Sequence, residues 1–175
     1  MAQTARLARA PSARDLASYL VALRPILLGA TEARRVWVRR IGVLMEDARR
    51  GDRAQVASAA GTMGRETLTT FRNSRLRVEQ LRPPRGCGEC HRALVQWLEK
   101  LITACELLAA VGRTGLLEGI HEAQEVLADS RIHAHRFNAE YGRLVGELRR
   151  RVAAAGARPR RGQTRAVRAV ARSTA

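Results

Sequence analysis

Apolar side chains recur at steps of three and four along nearly the whole chain. Leu16, Leu20, Leu23, Leu27, Ala30, Trp37, Ile41 and Leu44 form the first such stripe, with Arg34 its one polar interruption. That period belongs to a helix with one face on a core. Ser12, directly after Pro11, is a natural N-cap, so the spacing predicts a helix over 12–50, kinked rather than ended by Pro25. A second stripe, Val56, Ala60, Met63, Phe71, Val78 and Leu81, predicts a helix over 52–81 with Asp52 as its cap. Gly61, Gly64 and the threonines at 67, 69 and 70 weaken its intrinsic propensity. It must therefore rely on packing, and its glycines would permit a close helix approach.

Pro83-Pro84 stops the second helix, because proline disfavours the helical conformation before it and cannot donate to the preceding turn. Cys87, Cys90, Leu94, Leu98, Leu101, Cys105 and Leu108 then define a third helix over 87–111, starting near Gly86 and carrying all three cysteines on its apolar stripe. Gly112 to Gly115 reads as a tight turn with Thr114 as a cap. A heptad-like series from Leu116 through Ile120, Ala123, Leu127, Phe137, Leu144 and Val152 predicts a fourth helix over 114–154. Short connections force successive helices to run antiparallel. The expectation is an all-α, up-down bundle of about four long helices, each roughly 40 to 60 Å at about 1.5 Å per residue. The first and last helices are the longest. Their excess falls where the third begins, so that Tyr19 and Tyr141 would flank Cys87.

The chain accordingly divides into a flexible N-terminus over residues 1–11, the bundle over 12–155, and an arginine-rich disordered tail over 156–175. The apolar share of 46% suffices for one core, and with aromatics at only 3% that core must be aliphatic. Three cysteines, an odd number, argue against a disulfide framework. With no good secretion signal and no long uninterrupted apolar run, the chain reads as cytoplasmic and without a transmembrane helix.

Charge narrows the classes of partner. The formal net charge is +16, and of the 32 basic residues only Lys100 is a lysine. A bias toward GC-rich codons would favour arginine regardless of function, yet a field this positive draws in nucleic acid, an anionic membrane or an acidic protein. The tail supplies the candidate contacts Arg158, Arg160, Arg161, Arg165, Arg168 and Arg172 without any acid among them. No helix-turn-helix pattern, aromatic stacking platform or zinc finger in the usual register accompanies them.

One short motif could carry chemistry, Cys87-Gly-Glu-Cys90-His91. Its spacing resembles the haem-attachment motif of c-type cytochromes, in which two cysteines hold the porphyrin and the adjacent histidine ligates iron. A second reading is zinc or iron held by Cys87, Cys90, His91 and His135. A turn centred on residue 113 would place His135 opposite His91. A third is a redox thiol pair at a helix N-terminus, though the βαβ context of thioredoxins is missing. The fourth takes the cysteines as buried small hydrophobes and His91 as a boundary residue. Glu118-x-x-His121 matches half of a carboxylate-bridged iron motif, which requires a second copy on another helix. No nucleotide loop, Gly-x-Ser-x-Gly or His-Glu-x-x-His occurs. The expectation is a non-enzymatic, cofactor-free bundle that binds a macromolecule, with zinc or haem c as the alternative.

Residues 81–101 also resemble a junction in uncharacterised bacterial helical-bundle proteins, through Leu81, Pro83, Pro84, His91, Leu94 and Leu98. The resemblance implies a bundle and no activity. In those proteins the histidine occurs without the cysteines, which implies a structural role for His91.

Overall fold

The computed structural model describes residues 12–156. Expectations for the flexible N-terminus and for the tail, with Arg158, Arg160, Arg161, Arg165, Arg168 and Arg172, lie outside the described residues. Four helices make up the described chain: α1 (Ala13–Arg50), α2 (Arg53–Glu79), α3 (Gly88–Thr114) and α4 (Glu118–Gly156). Each packs on the next, and α1 meets α4 more sparsely than any of these successive pairs. The result is an all-α, up-down bundle. At about 1.5 Å per residue, the 38 and 39 residues of α1 and α4 span roughly 57 Å and the 27 of α2 and α3 roughly 40 Å.

The caps explain where the helices start. Ser12 accepts from the Asp15 amide at 3.0 Å while the Asp15 carboxylate accepts from the Ser12 amide, a complete capping box. The Asp52 carboxylate accepts from the Ala54 amide at 2.9 Å. Pro25 lies within α1, which runs through it. By length and composition α1 is long and apolar enough to cross a bilayer, a test that the core helix of a bundle also passes. A third of its most apolar 18-residue window is buried in the bundle.

The core runs the length of the molecule and is aliphatic apart from a few aromatic anchors. Leu16, Leu23, Leu94, Leu98, Leu101 and Leu108 have no exposed surface, and Trp37 stacks edge-on against Phe71 at 5.9 Å. A fully buried leucine of this kind contributes roughly 1.5–3 kcal/mol through the area it removes from water. Along α2 and α3 the backbones themselves touch. A Cβ at Gly61 would sit 2.6 Å from the Gly112 Cα, and one at Gly64 would sit 2.6 Å from both the Ala109 nitrogen and the Cys105 carbonyl. The close approach expected of the α2 glycines is thus realised, with Gly112 as the facing partner.

Gly112 is accordingly a packing residue and not part of a turn. α3 continues to Thr114, and the break comes at Gly115, whose φ of 72° lies in the left-handed region that glycine enters at little cost. The centre of the α3–α4 connection therefore lies near residue 116 rather than 113. Across the pair, Lys100 meets Asp129, Glu89 meets Arg136 and Gly119 lies against Val111.

Candidate functional site

Because the helices alternate in direction, one end of the bundle gathers the start of α1, the end of α2, the start of α3 and the end of α4. The excess length of α1 and α4 overhangs this end, as the sequence implied. Between the first turns of α1 and the α2–α3 junction lies an open cleft of about 960 Å³, lined on one side by Asp15, Ser18 and Tyr19 and on the other by Arg82, Pro84 and Arg85.

The cysteine motif sits just beneath this cleft. Cys87 occupies the N-cap position of α3, after a turn that depends on Gly86 at φ 83°, and Cys90 lies one turn further on. Both have no exposed surface, and neither does Cys105. Burial pushes the Cys90 and Cys105 thiols up to about 12. It also raises Cys87, against the opposing pull of Arg143. A thiol needs a depressed pKa to act as a nucleophile or redox partner near neutral pH. All three are shifted the other way.

His91 contacts the remaining element at this end. Its Nδ1 lies 3.2 Å from the hydroxyl of Tyr19, which reaches across the bundle from α1. Burial lowers the His91 pKa, with Glu79 opposing, so the neutral ring is favoured. With its proton on Nε2, the ring accepts from the Tyr19 hydroxyl. Tyr19 is itself 5% exposed, and burial, with the neighbouring Cys90 and Cys87, raises its phenol pKa. Tyr19 and His91 thus form a neutral, mutually satisfied pair. Such a pair locks α1 to α3 without placing a charge in the core.

This pair makes stability depend on pH. The folded pKa of His91 lies below the unfolded value of about 6.5, so the unfolded chain takes up a proton first as pH falls. Its contribution is fully present above about pH 6.5 and is lost as pH falls through the folded pKa. Comparing urea unfolding of the wild type with His91→Gln across this range should show the difference between them shrinking on acidification. A difference that stays flat would mean that His91 titrates as it does in the unfolded chain.

The four proposed metal ligands are not brought together. Among the described residues no three of His, Cys, Asp and Glu are grouped so as to hold a metal. His135 lines the α1–α4 seam together with Trp97. The half-motif at Glu118 and His121 is also left alone, with exposed His121 3.5 Å from Glu125. A haem would need both cysteines presented to a slot of porphyrin size. The adjacent cleft is lined by Tyr19 but by neither cysteine, so the residues as placed do not frame that group.

The same end of the bundle is strongly basic. Arg14, Arg77, Arg82, Arg85, Arg149 and Arg150 are all exposed there and make no ion pair among the described residues. The acids nearby are already engaged: Glu79 with Arg75, Glu89 with Arg92 and Arg136, and Glu140 with Arg143. Glu147 pairs with Arg151 and Asp15 with the Ser12 cap. The covalent connections to residues 1–11 and 157–175 leave from this end too. Those segments hold eight arginines and no acid, half of the net +16. None of the convergence among the bundle arginines could be read without the topology.

Comparison with protein-family models, with curated proteins and with solved structures finds no match. No relative therefore bears on the Leu-x-Pro-Pro likeness or on the Cys-x-x-Cys-His motif.

Proposed function

We propose that the protein is a non-enzymatic helical bundle that binds an anionic macromolecule through the arginine-rich end of the bundle. The carrying observation is the convergence of six unpaired arginines with the two attachment points of the arginine-bearing terminal segments. An unpaired guanidinium on a rigid helix end offers its planar fork to phosphate or carboxylate without first breaking an ion pair. Among the described residues the acids at this end are engaged in ion pairs or a cap, and so none is left free to repel the same partner. On this reading the buried Cys87, Cys90 and Cys105 are packing residues, and Tyr19 with His91 fixes the helices that present the arginines.

A charge-matched comparison tests the assignment to one end. A variant with Arg77, Arg82, Arg85 and Arg149 changed to glutamine is set beside one with Arg39, Arg53, Arg65 and Arg113 changed in the same way. Both lose four charges, so a non-specific attraction weakens equally in the two. The end-specific reading expects the first set to lose at least about tenfold more affinity for a nucleic-acid duplex, an anionic vesicle or a polyglutamate chain. Whichever of these probes shows the difference identifies the partner class. Equal losses on all three would sink the proposal.

A further inference from the structure

The seam between α1 and α4 holds a second feature that the basic end does not use. Between the two helices a cavity of about 290 Å³ opens, with Trp97 of α3 in its wall. Trp97 is only 6% exposed, and its indole Nε1–H is buried without an acceptor. Arg34 lines the cavity from α1, and its Nε is likewise buried without an acceptor. From α4 comes Arg131. Neither guanidinium has an acidic partner among the described residues, since nearby Glu32 pairs with Arg35 and Asp129 with Lys100.

Leaving a buried donor unmade costs roughly 1–3 kcal/mol, and more for a charged group. Two like charges at a single cavity, with two buried donors left unmet in the residues that line it, therefore work against stability. Burial, and then the charge of Arg131, lower the Arg34 pKa, which reflects the same conflict. Arg34 and Arg131 are both donors and neither has an acid beside it among the described residues, so what the cavity lacks is an acceptor carrying negative charge. The rest of the lining is Leu27, Ala134 and Phe137, with the polar Thr31, His135 and Asn138. Such a mixture of apolar wall and a few convergent polar groups is the usual make-up of a small-molecule site.

We infer that this seam is a binding site for a small organic anion, its oxyanion head held between Arg34 and Arg131 and its apolar body lying over Trp97. The volume, on the order of ten waters, admits a single ring or a short chain and excludes a polymer. The site is thus separate from the macromolecular contact proposed for the bundle end, and neither depends on the other. Arg34, which breaks the apolar stripe of α1, is the positioning charge on the core side. Arg131 closes the site from the solvent side.

The test uses the full chain labelled with ¹⁵N and follows the indole N–H signal of Trp97, assigned by its persistence in Trp37→Phe. Phenyl phosphate and benzoate are the probes, inorganic phosphate supplies the head alone, and benzamide is a neutral analogue. The inference expects at least one of the two organic anions to shift the Trp97 signal saturably, and inorganic phosphate and benzamide to bind more weakly. Arg34→Met and Arg131→Met should each weaken binding at least about tenfold, the scale of one charge-assisted bidentate contact. Arg149→Gln/Arg150→Gln should leave it unchanged. Arg131 is exposed, so its variant keeps the fold and the comparison stands even if Arg34→Met does not. Benzamide binding as tightly as benzoate, no saturable shift with either anion, or equal affinity in Arg131→Met would overturn the inference.

Discussion

A Gly64→Val variant will lose at least about 3 kcal/mol of folding stability and will melt without the cooperativity of the wild type. At this position α2 lies directly on the α3 backbone. The first carbon of any side chain would already stand 2.6 Å from the Ala109 nitrogen and the Cys105 carbonyl. Neither atom is the end of a flexible side chain, so relief requires the helices to separate over several turns. Separation there would also open the neighbouring Gly61–Gly112 contact and the fully buried Leu108 and Cys105. Gly29 provides the counterpart. Nothing lies within 4 Å of a Cβ built there, and Gly29→Ala should add about 0.5–1 kcal/mol by removing a glycine from an exposed helix position. Urea denaturation of the two variants measures both signs at once. A Gly64→Val protein as stable as the wild type would mean that α2 and α3 are not in backbone contact.

The three thiols should be alkylated far more slowly in the folded chain than in urea. Cys90 and Cys105, raised from the ordinary 9.0 to about 12, expose about a thousandfold less thiolate near pH 8 than free cysteine, before burial is counted. Their lack of exposed surface adds the cost of opening the bundle to admit the reagent. Cys105, in the middle of α3 against Gly64, should react last, and Cys87, at the helix N-cap, first. Mass spectrometry of iodoacetamide-treated protein resolves the order. Bound zinc or iron would protect Cys87 and Cys90 as well, but only until a chelator removed it. Protection that a chelator abolishes at Cys87 and Cys90 while sparing Cys105 would contradict the packing role assigned to the pair.

The four helices were legible in the sequence because their apolar residues keep a helical period and because Ser12 and Asp52 can cap the helix starts. The end of α3 was not. Gly112 has the residue type of a turn, and only the facing Gly61 reveals that it serves close packing. Tyr19 was legible as a neighbour of the motif from helix lengths alone, whereas its bond to His91 depends on side-chain geometry. Arg34 announced itself as the polar interruption of an apolar stripe. The unmet indole of Trp97 did not, since an aromatic on a core stripe gives no sign of whether its N–H finds a partner.

Salt dependence measured on the full chain reaches the central proposal most directly. If the unpaired arginines at the bundle end and the terminal segments release counterions from a polyanion, affinity for a duplex probe should fall about a thousandfold or more between about 50 and 200 mM salt. The variant lacking Arg77, Arg82, Arg85 and Arg149 should give a shallower slope, by about 0.9 for each phosphate it no longer neutralises. Vesicles and polyglutamate, titrated in the same way, extend the comparison to the other anionic partners. Binding that is steep in salt for the wild type and shallower for this variant supports an electrostatic contact at the bundle end. An affinity that does not change with salt, on all three probes, would contradict it.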